Sequence, residues 1–159
     1  MDPATFDLSH FNWLGFGLSI LVFMVLGFIW YAPWFPTGRV WVRASKMDMS
    51  QKIPARQMAM SMGMMVIGAV LLMFVYAHNM MVYEDAFRNV ATGGKAGYKL
   101  TAMDGITGGF FTWLGFIVPL NLNAVAFDRK PWSLFGVNAG YYLVSLVVAG
   151  ILIATVGAQ

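Results

Sequence analysis

Residues 105–127 read GITGGFFTWLGFIVPLNLNAVAF, a run with no charged side chain. At about 20 residues per crossing it is long enough to span some 30 Å of hydrocarbon as a helix. It also holds four glycines, a proline and two asparagines, residues that weaken an isolated helix or add polarity where lipid is the solvent. On a helix Gly105, Gly108, Thr112, Gly115 and Pro119 follow one another at spacings of 3, 4, 3 and 4, which places them on one seam. Small seams let backbones approach closely where no hydrophobic effect drives helices together. The spacing therefore predicts a helix packed against a neighbour.

Three further runs of the same kind lie around it, giving expected spans at about 11–33, 57–81, 105–127 and 134–156. Hydrophobic residues make up 59% of the chain and charged residues 11%, proportions that exclude an ordinary soluble domain. The expected fold is all-α: one transmembrane domain over 1–159, a four-helix bundle with a short cytoplasmic interfacial helix after the first span. The start, MDPATFDLSHFNW, lacks the positive stretch of a cleaved leader, so the first run is expected to remain as a helix. In the fourth span Gly136 and Gly140 form a GxxxG, with Gly150, Ala154 and Gly157 repeating the pattern of small residues.

The charges orient the bundle. Arg39, Arg43, Lys46, Lys52 and Arg56 lie between the first two spans, and Arg129 and Lys130 between the last two. The middle loop, 82–103, carries only Arg88, Lys95 and Lys99. Seven basic residues against three place both termini outside the cytoplasm, and the net charge of +3 becomes a matter of topology, with no nucleic-acid partner implied. Arg39, Arg43 and Lys46 would share one face of a short helix whose other side offers Val40, Trp41, Ala44 and Met47, a pattern for a membrane surface that an ordinary solvated basic loop also accommodates. Thr101 and Asp104 have capping-box spacing; Ser9, Pro54 and Ser133 suit the starts of the first, second and fourth helices. Trp13, Trp30, Trp34 and Trp132 fall at the expected interfaces.

Few residues carry chemistry. Cysteine is absent, all seven acids fall outside the expected spans, and no nucleophile elbow, phosphate loop or metal spacing such as HExxH occurs. No catalytic residue, metal site or cofactor is expected. Pro119 should kink the helix and free the Gly115 carbonyl; Asn121, Asn123 and Asn138 would then serve first to repair that backbone and pack the helices, and second, as a candidate site, to line a small polar pocket. Another candidate site is an outer-face cluster of His78, Asp104 and Asn12, with His10 nearby, where an imidazole and a carboxylate could relay a proton; simple helix capping explains the same residues. Met47, Met49, Met58, Met60, Met62, Met64 and Met65 invite a Cu(I) reading, but their alternation scatters the sulfurs around a helix, as adaptable packing would.

Several features together resemble a known family. They are Asn12-Trp13, GFIWYAP at 27–33, Gly38, Trp41, His78, Asp104-Gly105, WLGF at 113–116 with Pro119 and Asn123, Phe127, and LFGVNAGYYLVSL at 134–146. Nearly the whole chain resembles the bacterial four-helix membrane family known as domain of unknown function seventeen sixty-one. The resemblance implies the four-helix architecture and a bacterial inner membrane, and it transfers no catalytic residue. WLGF also occurs at 13–16, which allows a duplicated hairpin or a chance match in an aromatic-rich chain. The expected role is association within the lipid bilayer, as a homo-oligomer or with other membrane subunits. The runner-up is a small transporter using the pocket at Pro119, and a metal or redox role at His78 stands third.

Overall fold

The computed structural model describes residues 11–48, 50, 53–91 and 99–156, all of whose regular elements are helical. They are α1 (Trp13–Trp30), α2 (Pro36–Ser45), α3 (Ala55–Ala91), α4 (Ala102–Thr112), a π-helical turn (Trp113–Ile117), α5 (Val118–Ala126) and α6 (Trp132–Thr155). The α4–π–α5 segment is one continuous rod, and with α1, α3 and α6 it makes four helices long and apolar enough to cross a membrane. Ser9, His10, Met49, Lys52, Lys95 and Gly157 lie outside the described residues.

Helix α6 is the hub. Half of its most apolar window is buried, against 22% or less in the other three spans. One side of α6 meets α1 in antiparallel fashion through side chains that donate to backbone carbonyls. Asn12 Nδ2 reaches the carbonyls of Ile153 and Val156, Ser19 Oγ that of Ala149, and Trp30 Nε1 that of Val137. In return the Tyr141 hydroxyl donates to the Phe23 carbonyl at 2.8 Å, and the Tyr31 hydroxyl donates to Asn138 Oδ1 at 3.1 Å. Each such bond contributes about 0.6 kcal/mol in a membrane, so the series matters as a ladder that fixes register.

The other side of α6 meets α4 at closer range. A Cβ on Gly105 would overlap the Gly150 backbone, one on Gly150 would overlap the Gly105 carbonyl and the Tyr76 hydroxyl, and one on Gly109 would strike the Leu146 carbonyl. Trp113 Nε1 closes this contact by donating to the Ala139 carbonyl at 2.7 Å. Small residues thus do what the sequence pattern predicts, but the buried pair on α4 is Gly105 and Gly109. Gly108 faces the Met80 sulfur on α3, and Thr112 lies half-buried one turn further on. Gly115 and Gly136 have open space around them, and Gly140 meets the Trp30 ring. Adjacent turns of a helix offer two small stripes here, and only one can face α6.

Local signals set the ends of the helices. Thr101 and Asp104 form the capping box: the Thr101 hydroxyl accepts from the Asp104 N–H while the Asp104 carboxylate accepts from the Thr101 N–H. Asp104 therefore sits in the first turn of α4, inside the helix. Asn12 caps α1, its Oδ1 accepting from the Gly15 N–H at 2.8 Å. Ser133 is not the cap of α6; Pro131 holds that position and α6 begins at Trp132, which a fixed proline φ favours at a helix start. Helix α3 continues past residue 81 to Ala91, so Glu84, expected in a loop, is helical. Between α5 and α6 Arg129 adopts the left-handed conformation, φ 55°, and the Lys130 N–H returns to the Ala124 carbonyl.

Asn12 both caps α1 and ties it to α6, and the two roles separate by substitution. Asn12→Ser keeps a capping acceptor for the Gly15 N–H but is too short to reach α6, whereas Asn12→Ala loses everything. Equilibrium unfolding in mixed micelles should place the alanine variant about 2 kcal/mol below the parent and the serine variant between them. Equal losses would mean that the cap contributes nothing.

Candidate functional site

Pro119 shapes the third span in a way the sequence only partly foretells. A proline has no N–H to give, and its ring crowds the carbonyl four residues back. The expected kink at Pro119 takes the form of a π-helical turn one step earlier, where the Val118 N–H bonds to the Trp113 carbonyl five residues back. Widened turns of this kind are one way a helix absorbs a proline without breaking. Asn121 Nδ2 donates to the Ile117 carbonyl at 2.9 Å, so it reinforces the backbone below the turn and does not cover Gly115.

The remaining members of the expected polar pocket are not gathered around Asn121. Asn138 is half-buried on α6 and accepts from Tyr31, while Asn123 and Pro119 are exposed on α5, a helix that buries none of its residues. Nor does the outer-face cluster close around Asn12, which is committed to α1 and α6. Asp104 is held in its capping box by Thr101, and His78 lies half-buried on α3 between buried Ala77 and Met80; both side chains are engaged. Among the described residues no three His, Asp or Glu side chains come together as metal ligands. Outside the spans, hydrogen bonds from the Ser50 hydroxyl and backbone N–H hold the exposed Asp48 carboxyl below the usual carboxylate range.

Two features that pattern alone did not single out mark the structure functionally. The first is the attachment of α3. Its buried residues, Ala69, Met73, Tyr76, Ala77 and Met80, fall on one face and pack against the rest of the bundle. Before them every residue from 53 to 68 is exposed, on all sides of the helix. Met60, Met62, Met64 and Ile67 retain 55–64% of their surface, and Gly63 and Gly68 have nothing within 4 Å. Among the described residues nothing covers this largely apolar half of α3, a face that lipid or another helix would cover. Phe116 on the π turn, Leu120 on α5 and Phe127 just beyond it are also exposed apolar residues.

The second feature is a half-open groove of about 370 Å³ between α3 and α4. Tyr76, Tyr83 and Phe111 supply aromatic walls, Met80 and Gly108 an apolar floor, and Asn79, Thr107 and Thr112 the polar groups. The helices diverge there because α3 reaches α4 through side chains: the Tyr76 hydroxyl donates to the Gly105 carbonyl at 3.3 Å, and Met80 lies on Gly108. No periodicity announces such a groove, since its residues come from two helices distant in sequence.

Residues 14–154 match the family model described as "Protein of unknown function (DUF1761)". No curated protein and no solved structure matches the chain.

Proposed function

This chain belongs to the DUF1761 family, and from that premise we propose that it is a non-enzymatic multi-pass protein that works by association, as a homo-oligomer or as a subunit of a larger membrane complex. The observation that carries the proposal is the unpartnered half of α3, exposed on all sides from residue 53 to 68. Lipid alone could solvate such a helix, but lipid gives no reason for Gly63 and Gly68 in it, since an exposed interior glycine costs about 1 kcal/mol relative to alanine. Close approach of another helix does give one. Methionine, unbranched and adaptable, suits a surface that must fit a second protein.

The same reading sets the protein in the bacterial inner membrane with both termini outside the cytoplasm, following the distribution of Lys and Arg. In that orientation α2 lies along the cytoplasmic surface. Its Gly38 sits against the Ala32 carbonyl, Trp41 against Tyr31, and Arg39 folds back onto the Trp34 carbonyl. The exposed half of α3 then belongs to the cytoplasmic leaflet. Extraction in a native-lipid mimetic, followed by mass determination of the intact assembly, tests the proposal. A discrete oligomer or a complex with other polypeptides is expected; a lone chain surrounded by lipid would overturn it.

A further inference from the structure

We propose that the groove between α3 and α4 is a binding site for a membrane-borne quinone-type molecule: an uncharged ring bearing carbonyl oxygens on an apolar tail. The groove lies on the part of α3 that is packed on the bundle, so the site stands apart from the association surface and does not depend on it.

Depth comes first. Thr107 and Thr112 lie five and ten residues after Ala102, the first residue of α4. At 1.5 Å per residue that is about 8 and 15 Å along the helix, from the outer part to the middle of a hydrocarbon layer of roughly 30 Å. Polar groups cost more with depth unless a partner satisfies them, and most of all at Thr112. The side chains of Thr107, Thr112 and Asn79 have no hydrogen-bond partner among the described residues, and all three line this groove. Two hydroxyls and an amide are donors set for carbonyl oxygens.

Charge narrows the class. Among the described residues no Lys, Arg, His, Asp or Glu lines the groove, so a phosphate head would find no counter-charge there. Tyr76, Tyr83 and Phe111 offer faces and edges to a flat ring. Gly108 keeps the floor low, because a Cβ at that position would press on the Met80 sulfur. The volume of about 370 Å³ lies at the small end of ligand sites, the size for a ring head and not for a whole two-chain lipid. The open side leaves a tail in the bilayer.

The test uses the full chain in lipid nanodiscs and a photoreactive azido-benzoquinone with a decyl tail as probe. Labelling should saturate, map to peptides containing residues 76–83 and 107–112, and be competed by unmodified decyl-benzoquinone. Thr107→Val with Asn79→Leu should lower saturable labelling at least tenfold, while Asn121→Leu should leave it unchanged. Thr107→Phe, which fills the groove, should abolish it in a variant that melts like the parent. Labelling that never saturates, or that spreads along the exposed residues 53–68, would overturn the site. Competition by dioleoylglycerol equal to that by the quinone would overturn the assignment to a ring.

Discussion

Replacing Gly150 by leucine is expected to destabilise the bundle by about 3 kcal/mol or enough to prevent folding. Even one added carbon at this position would meet the Gly105 carbonyl and the Tyr76 hydroxyl. The carbonyl belongs to a backbone that cannot yield without separating α4 from α6, and the Tyr76 hydroxyl is held by its bond to that same carbonyl. The leucine would therefore prise apart three helices at once. Gly63→Leu is the matched control: a Cβ there meets nothing within 4 Å, so no loss is expected, only a gain of up to about 1 kcal/mol from the better helix former. Unfolding in mixed micelles reads both. Equal effects would show that glycine serves only backbone conformation at these sites.

The second large effect concerns assembly and leaves the single chain alone. Gly63→Trp combined with Gly115→Trp puts two bulky side chains where each glycine has open space in its own chain. The melting temperature of the isolated chain should hardly move. If other helices close on these surfaces, the intact assembly should fall apart, with at least a tenfold loss of the assembled fraction. An unchanged assembly would exclude both glycines from the interface. The π turn around Gly115 makes that part of the surface unlike a regular helix, so a partner would meet both the wide turn and the exposed Phe116.

Much of the architecture was legible in the sequence because hydrocarbon imposes length and composition on anything that crosses it. Four apolar runs became four long helices, the Thr101–Asp104 spacing became the capping box, and the basic loop holds a helix at Pro36–Ser45. Which glycine faces a helix was not legible. Gly105, Gly108 and Gly109 offer overlapping stripes, and in lipid the outer face is as apolar as the inner one, so hydropathy cannot choose. The buried pair is Gly105 with Gly109. The ladder on α6 was equally hidden: Trp30 reads as an interfacial aromatic and Tyr141 as one residue of an apolar run until their polar atoms are seen on the carbonyls of Val137 and Phe23.

The candidate sites fared differently because they depend on side chains from distant helices. Asn121, Asn123 and Asn138 are near one another in sequence on either side of the α5–α6 turn, yet Asn121 bonds to the Ile117 carbonyl and Asn138 to Tyr31, separate tasks. The exposed half of α3 could not be foreseen from pattern, since the run from Met58 to Val75 has the same character whether protein or lipid surrounds it. Only its exposure on every side, among the described residues, singles it out.

The absence of cysteine allows that half to be probed in its own membrane. Met62→Cys, on the exposed part of α3, can be challenged with a membrane-permeant bifunctional thiol reagent or an aryl-azide thiol label in intact membranes of cells producing the protein. A protein that works by association should yield a cross-linked product of defined mass, either twice the chain or the chain joined to another membrane polypeptide, while Leu143→Cys on α6 yields none. A cysteine at position 62 that reacts fully with the label yet only ever joins lipid would contradict association through α3.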